Sequence, residues 1–249
     1  MLDRWTGWLA PGFCGAATHG VIRVGHAVRS LAVTETSSRR RELGDALASW
    51  AATYRELPSN DRKTDGPMAP REAIGKVPVI AAHQRRTLGN ITASLAMLDD
   101  FPEFAPVIGL IDVSRDIETV LAELSEIFVR IYLANAHDVL TTIVFIHGVT
   151  SLAALGSISP YLSETTTRSA VRYAWQSGCA LYACFGIKAM AENVESHAQN
   201  AETLIDRALA NGDEHVIKFT EACLRRDALL PLPAYRAAID HTLGTMRRG

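Results

Sequence analysis

Histidines stand inside segments that otherwise have the apolar composition of a helical core, and they are the side chains best suited to chemistry. His19 and His26 lie seven residues apart, or two helical turns, so a helix places both on one face. Imidazole is the commonest metal ligand among side chains. The spacing therefore predicts either metal ligands or two hydrogen-bonded core histidines.

Gly20 and Gly25 stand directly beside these two histidines. Each glycine costs a helix interior roughly 1 kcal/mol relative to alanine. That cost is easier to understand if another helix, or a bulky ligand, must approach the backbone closely at these positions.

A third histidine, His147, precedes Gly148 in the most apolar stretch of the chain. Burying an imidazole costs free energy unless both ring nitrogens find partners. A metal ion on one nitrogen and an acceptor on the other would satisfy both. Taken alone, the position favours a structural core histidine.

His215 and Lys218 are three residues apart, so a helix points them the same way. His215 falls in the predicted first helical turn, where the positive end of the helix dipole disfavours imidazolium and keeps a nitrogen free for metal. An ammonium would repel a metal ion, so in a metal site Lys218 must be neutral, displaced, or converted by carbon dioxide to an anionic N-carboxylate. Otherwise Lys218 extends to solvent and His215 is an ordinary first-turn residue.

The other histidines carry weaker signals. His137 lies at a predicted helix break before Asp138, where capping is favoured over a ligand role. His83, His197 and His241 lie in polar, charged surroundings and are predicted to be on the surface.

The spacing of apolar residues is helical almost throughout, and alternating patterns bounded by hairpin turns are nearly absent. The chain therefore predicts an all-α fold, a single multi-helix globular domain over residues 1–249 with a metal site among buried helices. Gly212 marks a helix stop and Asp213 an N-cap. The predicted helices cover residues 12–33, 38–57, 82–98, 116–136, 139–155, 165–194, 198–210, 213–229 and 234–246.

Residues 59–78 are rich in Pro, Gly, Asp and Lys, which predicts a surface loop. A loop of this length in a compact domain is often functional, so it is a candidate lid. Trp175, Tyr182 and Phe185 in the predicted helix 165–194 are candidate pocket walls, although core packing is the commoner duty of such residues.

Composition excludes several classes of protein. The chain has 249 residues, 48% of them apolar, and a net charge of −2, which excludes disorder and leaves no long-range electrostatic field to attract nucleic acid.

Four cysteines lie among apolar neighbours without C-x-x-C spacing, and no basic, apolar leader opens the chain, so we expect a reduced cytoplasmic protein. Residues 139–163 carry no charge, but His147, two glycines and a proline interrupt them, which favours a buried core helix over a membrane span. Phosphate-loop, nucleophile-elbow, H-E-x-x-H and dinucleotide motifs are absent.

Three segments, 17–29, 145–151 and 212–222, resemble motifs of the questin oxidase-like family in sequence, order and spacing. The similarity extends over residues 11–238. It implies oxygen-dependent opening of a polycyclic aromatic ketone, as in anthraquinone ring cleavage, by a non-haem iron protein. Members of that family carry another helical segment before the first motif, so we expect this chain to lack an N-terminal segment.

By motif position, the resemblance implies that His19, His147 and His215 bind Fe(II), together with an N-carboxylate derived from carbon dioxide on Lys218. It gives His26 a catalytic role in contact with substrate or dioxygen. The implied partners are a small aromatic substrate and dioxygen, without nucleic acid or membrane. Ligand type alone also allows zinc or manganese.

A second hypothesis belongs to a different class. The short N-terminal part is also compatible with a non-catalytic helical protein that binds an aromatic or lipid-like small molecule. The two hypotheses differ in one geometric expectation: the iron protein requires His19, His147 and His215 to lie close enough to share an ion.

Overall fold

The computed structural model describes residues 1–60, 66–86, 89–195 and 199–246, and among these the regular secondary structure is helical, with one isolated bridge between Met68 and Ile111 and no strand. The all-α prediction is confirmed. The α-helices, in chain order, are α1 (Leu2–Leu9), α2 (His19–Val33), α3 (Ser37–Ala52), α4 (Pro70–Ala73), α5 (Ile91–Leu95), α6 (Ile117–Asn135), α7 (Val139–Ile158), α8 (Glu164–Phe185), α9 (Ala201–Asn211), α10 (Glu214–Leu229) and α11 (Pro233–Thr245). Short 3-10 turns join several of them.

Helix α7 forms the centre of the core, and α2, α6, α8 and α10 all pack against it. It begins at a capping box. The Asp138 carboxylate accepts a hydrogen bond from the Thr141 N–H, and the Thr141 hydroxyl accepts one from the Asp138 N–H. The segment Val139–Tyr161 is long and apolar enough to cross a membrane, yet 72% of its most apolar window is buried inside the protein. That burial agrees with the interpretation of this segment as a core helix.

Two glycines let neighbouring helices approach α2 at backbone distance. A Cβ on Gly20 would lie 2.7 Å from the Cβ of Trp50 in α3, and a Cβ on Gly25 would lie 2.7 Å from the Cβ of Ala154 in α7. Close approach of a neighbouring helix therefore explains both glycines. This was one of the two explanations that the sequence allowed, the other being a bulky ligand.

The predicted helix 12–33 is wrong at its start, and α1 was not predicted. Pro11 lies within a 3-10 turn, and Ala16, Ala17 and Thr18 are left-handed, so α2 begins only at His19. At the other end of the chain, the predicted stop and cap are confirmed, because Gly212 is left-handed with φ of 71° and the Asp213 side chain caps α10.

Three further predicted helices are shorter than expected. The predicted helix 38–57 ends at Ala52. Helix α8 ends at Phe185, because the Asn135 side chain accepts hydrogen bonds from the backbone N–H groups of Ile187 and Lys188 and holds that segment outside the helix. The predicted helix 82–98 is interrupted: a 3-10 turn ends at Gln84, and α5 starts after the Asn90 cap.

Within the predicted surface loop 59–78 several side chains are exposed, but the described residues 66–78 are also partly helical and partly buried. They contain α4, and Ala73 and Ile74 are almost completely buried. The backbone of Gly66 and Met68 donates hydrogen bonds to Ile111 and Leu110. A role of this segment as a lid stays a prediction.

The substitution Gly25→Ala should destabilise the protein, because overpacking costs about 1–3 kcal/mol and exceeds the ~1 kcal/mol gained in helix propensity. Gly44→Ala in α3 is the matched control, since nothing lies within 4 Å of a Cβ there. The control should stabilise the protein by up to about 1 kcal/mol. Urea unfolding of both variants measures this, and an equal effect at the two sites would contradict the packing argument.

Candidate metal centre

Three histidines from three helices meet at one point. His19 is the first residue of α2, His147 lies in the middle of α7, and His215 lies in the first turn of α10. One ring nitrogen from each lies within 4.8 Å of the others. The Nε2 atoms of His19 and His147 are 3.4 Å apart. The group has the geometry to hold a metal ion, as the iron hypothesis requires.

Each of the three imidazoles has its Nδ1 engaged by a nearby oxygen. His19 Nδ1 donates to the Ala16 carbonyl at 2.5 Å, and His147 Nδ1 donates to the Ile143 carbonyl at 2.7 Å. His215 Nδ1 lies 3.3 Å from the Asp213 carboxylate. A proton held on Nδ1 leaves the lone pair on Nε2, and such partners also fix the ring orientation of metal-binding histidines. All three Nε2 atoms are therefore available as ligands.

A strained turn positions His19. Ala16, Ala17 and Thr18 have φ angles of 45°, 54° and 69°, and left-handed backbone costs a non-glycine residue on the order of 1 kcal/mol. The turn brings the Ala16 carbonyl back to the His19 ring, and the Thr18 hydroxyl faces the His147 carbonyl at 3.5 Å. Sequence reasoning missed this turn because it contains neither glycine nor asparagine.

The protein environment keeps His147 neutral. Its side chain is only 3% exposed, and burial, with a smaller effect of nearby His19, lowers its pKa to about 3. At Asp213, burial raises the pKa, but the His215 N–H bond and the adjacent imidazole outweigh it and lower the pKa below its usual value. Metal ions bind the neutral form of imidazole, and a carboxylate on the other ring nitrogen orients the ring.

The exposure of the three histidines differs from the sequence expectation of an interior group. His147 is buried and His215 is half-buried, but His19 is exposed. The group therefore opens to solvent on the His19 side, where a small molecule can reach it.

Lys218 follows His215 by one turn but makes an ion pair. Its Nζ donates to Glu214 Oε2 at 2.6 Å, and this ammonium holds the pKa of the Glu214 carboxyl below its usual range. The charge of Lys218 also contributes to the low pKa of His147. The amine therefore lies within electrostatic reach of the histidine group.

His26 is outside the three-histidine group. Its Nδ1 accepts from Arg29 at 2.9 Å, and burial together with the charges of Arg29, Lys218 and Arg225 lowers its pKa to about 4. The proton of this neutral ring is therefore on Nε2, which makes His26 a hydrogen-bond donor.

The remaining histidines divide between confirmed and wrong predictions. His83 and His137 are exposed, and Asp138 rather than His137 caps α7. The surface prediction for His241 is wrong, because its Nδ1 lies 2.9 Å from the buried Tyr132 hydroxyl and burial lowers its pKa. His197 lies outside the described residues.

The aromatic residues of α8 serve the core. Trp175 is completely buried, and its indole N–H donates to the Val107 carbonyl at 2.8 Å. Tyr182 is buried and Phe185 packs against the core.

Searches against protein-family models, curated proteins and solved structures find no match to this chain. The three-histidine group consequently stands on its own geometry.

The metal-free protein should lose stability in acid partly through His147. The unfolded imidazole titrates near pH 6.5 and the folded one near 3, so this contribution is present above pH 6.5 and is lost as the pH falls towards 3. The expected slope is on the order of 1 kcal/mol per pH unit. His147→Gln should flatten the pH dependence of the free energy of unfolding between pH 6.5 and 4, whereas His83→Gln should leave it unchanged. Parallel curves for the two variants would contradict the assignment.

Proposed function

We propose that this protein is a non-haem iron oxygenase of the questin oxidase-like type that opens a ring of a polycyclic aromatic ketone. The observation that carries the proposal is the convergence of one ring nitrogen each from His19, His147 and His215, which lie on three separate helices. The resemblance of their motifs to that family supplies the reaction class.

The donor set fits the proposed metal. Three imidazoles with oriented rings suit iron as well as other first-row metals. Bound non-haem iron supplies one-electron and dioxygen chemistry. The chain's own part is to hold the ion through Nε2, and to keep the rings oriented through Ala16, Ile143 and Asp213. The exposed side at His19 is the approach for an aromatic substrate and for dioxygen.

The proposal includes an N-carboxylate on Lys218 as an anionic fourth ligand. The neutral amine attacks the carbon of carbon dioxide and releases one proton, which leaves a carbamate anion. Lys218 Nζ at present donates to Glu214, and a carbamate beside that carboxylate would be repelled. Carboxylation therefore requires the Glu214 side chain, which is largely exposed, to turn into solvent.

His26 has a separate role in the proposal. Since Arg29 occupies its Nδ1, the ring offers only the Nε2 proton. It lies two turns after His19 on α2, or roughly 10 Å along the helix axis. We assign it to substrate contact, as a donor to a carbonyl or phenolate oxygen, and not to the metal.

The proposed setting is the reducing cytoplasm. The cysteines Cys14, Cys179, Cys184 and Cys223 are all buried and free. Burial raises the pKa of Cys14 to about 11 and that of Cys184 to about 12, so these thiols are inert.

A second candidate function is favoured by one observation. An apolar groove of about 460 Å³ lies between α9 and α10, a volume within the range of small-molecule pockets. Large apolar side chains in it, Ile205 and Leu209, are exposed. This feature favours the alternative of a non-catalytic helical protein that binds an aromatic or lipid-like molecule.

Metal analysis tests the iron proposal. Untagged protein supplied with Fe(II) and bicarbonate should hold close to one equivalent of iron, and His147→Gln should lower metal affinity at least ~10-fold because it removes the buried ligand. His83→Gln, an exposed histidine, is the control. A wild-type protein that retains less than about a tenth of an equivalent, while planar aromatics raise its melting temperature, would favour the binding protein instead.

The variant Lys218→Met tests the carboxylated ligand. It should lower iron occupancy and abolish any dependence of occupancy on bicarbonate, while the helical circular-dichroism spectrum is unchanged. Lys188→Met, a lysine on another segment, controls for loss of charge. Full occupancy in Lys218→Met would show that this lysine is not a ligand.

A further inference from the structure

The apolar groove contains a buried hydroxyl that has no partner. Thr220 lines the groove, its side chain is only 2% exposed, and its Oγ1 has no hydrogen-bond partner. A threonine inside a helix ordinarily donates to the carbonyl one turn earlier. Leaving a buried hydroxyl unpaired costs free energy, which calls for an explanation such as a ligand.

A guanidinium stands at the edge of the same groove. Arg225 lines it together with Glu221, but the two side chains approach only to 3.6 Å. Glu221 is closer to Arg29, at 3.2 Å. The Glu221 carboxylate is thus shared between two guanidinium groups, and its contact with Arg225 is the longer of the two. Arg225 also donates to the Ser157 hydroxyl at 3.0 Å.

The local charge is therefore positive. Arg29, Arg225 and Glu221 carry one net positive charge between them. Arg29 and Arg225 are about one-quarter and two-fifths exposed, so solvent screens them only in part. An oxyanion that approached Arg225 would be attracted without having to break the Arg29–Glu221 pair.

The rest of the groove is apolar. Ile205, Ala208 and Leu209 of α9 face Ile217, Leu224 and Ala228 of α10. Burial of a ligand's apolar surface there is favourable, and the gain in free energy is roughly proportional to the area removed from water. A ligand that fits these surroundings has an apolar body and one acidic end.

We propose that this groove binds an amphipathic monocarboxylate, whose carboxylate contacts Arg225 and the Thr220 hydroxyl and whose apolar body lies against Ile217 and Leu224. Charge-assisted hydrogen bonds of a guanidinium to a carboxylate are among the strongest that a protein forms. Glu221 is the internal competitor for Arg225. The site lies five to ten residues along α10 from His215 and does not depend on the iron chemistry proposed above.

Titration with 2-naphthoate and with decanoate, monitored by calorimetry, tests the proposal on the full chain and tells an aromatic acid from an acyl chain. Either acid should bind, and 2-naphthamide, which has no charge, should bind at least ~10-fold more weakly. Arg225→Gln should weaken binding of the acid at least ~10-fold, and Glu221→Gln should strengthen it. Arg23→Gln, an exposed arginine of α2 paired with Glu42, should have no effect.

Thr220→Val separates a ligand role from a structural one. Removal of the unpaired hydroxyl should raise the melting temperature of the free protein, yet weaken binding of the acid roughly 3- to 10-fold. Thr6→Val is the matched control, because Thr6 is also buried with an unpaired hydroxyl but lies in α1. It should raise the melting temperature and leave binding unchanged.

Equal affinity for the acids and the amide, or unchanged binding in both Arg225→Gln and Thr220→Val, would overturn the proposal. If one of these variants does not fold, Glu221→Gln still tests the proposal, because it should strengthen binding of the acid whereas the other two variants should weaken it. Iron content is measured separately, so loss of metal binding with intact acid binding rejects only the iron proposal, and the reverse result rejects only the groove ligand.

Discussion

The contact between α2 and α7 at Gly25 and Ala154 controls where His19 lies relative to His147. With no side chain at Gly25, the two backbones approach until a Cβ would meet Ala154 at 2.7 Å. Trp50 meets Gly20 in the same way from α3 and fixes the other side of α2. Helix α2 is thus held between two neighbours, and its first residue, His19, is brought to 3.4 Å from the His147 ring nitrogen. A separation of this size between ring nitrogens is sensitive to small helix shifts.

Burial of His147 imposes the second requirement on the site. An imidazole that is 3% exposed must satisfy both nitrogens, and the Ile143 carbonyl satisfies only Nδ1. Its Nε2 faces the ring nitrogen of His19 and not a carbonyl or carboxylate. His215 also has its Nδ1 engaged by a nearby oxygen. Its partner is the Asp213 carboxylate, which at the same time caps α10. One carboxylate therefore starts the helix and orients a candidate ligand.

Local patterns were sufficient for the helical class, the core helix around His147, the stop at Gly212 and the cap at Asp213. They also singled out His19, His147 and His215, but together with His26, and it was the family resemblance that implied these three as a ligand set. Spacing failed where distant residues decide. Asn135 ends α8 from 52 positions away along the chain, and the surface pattern around His241 hides its contact with Tyr132. The unpaired hydroxyl of Thr220 is visible only once α9 lies against α10.

The left-handed turn before α2 places His19 as the most accessible of the three histidines. His147 is fixed inside the core and His215 is held by a helix cap, whereas His19 is exposed and follows three strained residues. An ion held by these three histidines would therefore meet solvent and small molecules on the His19 side.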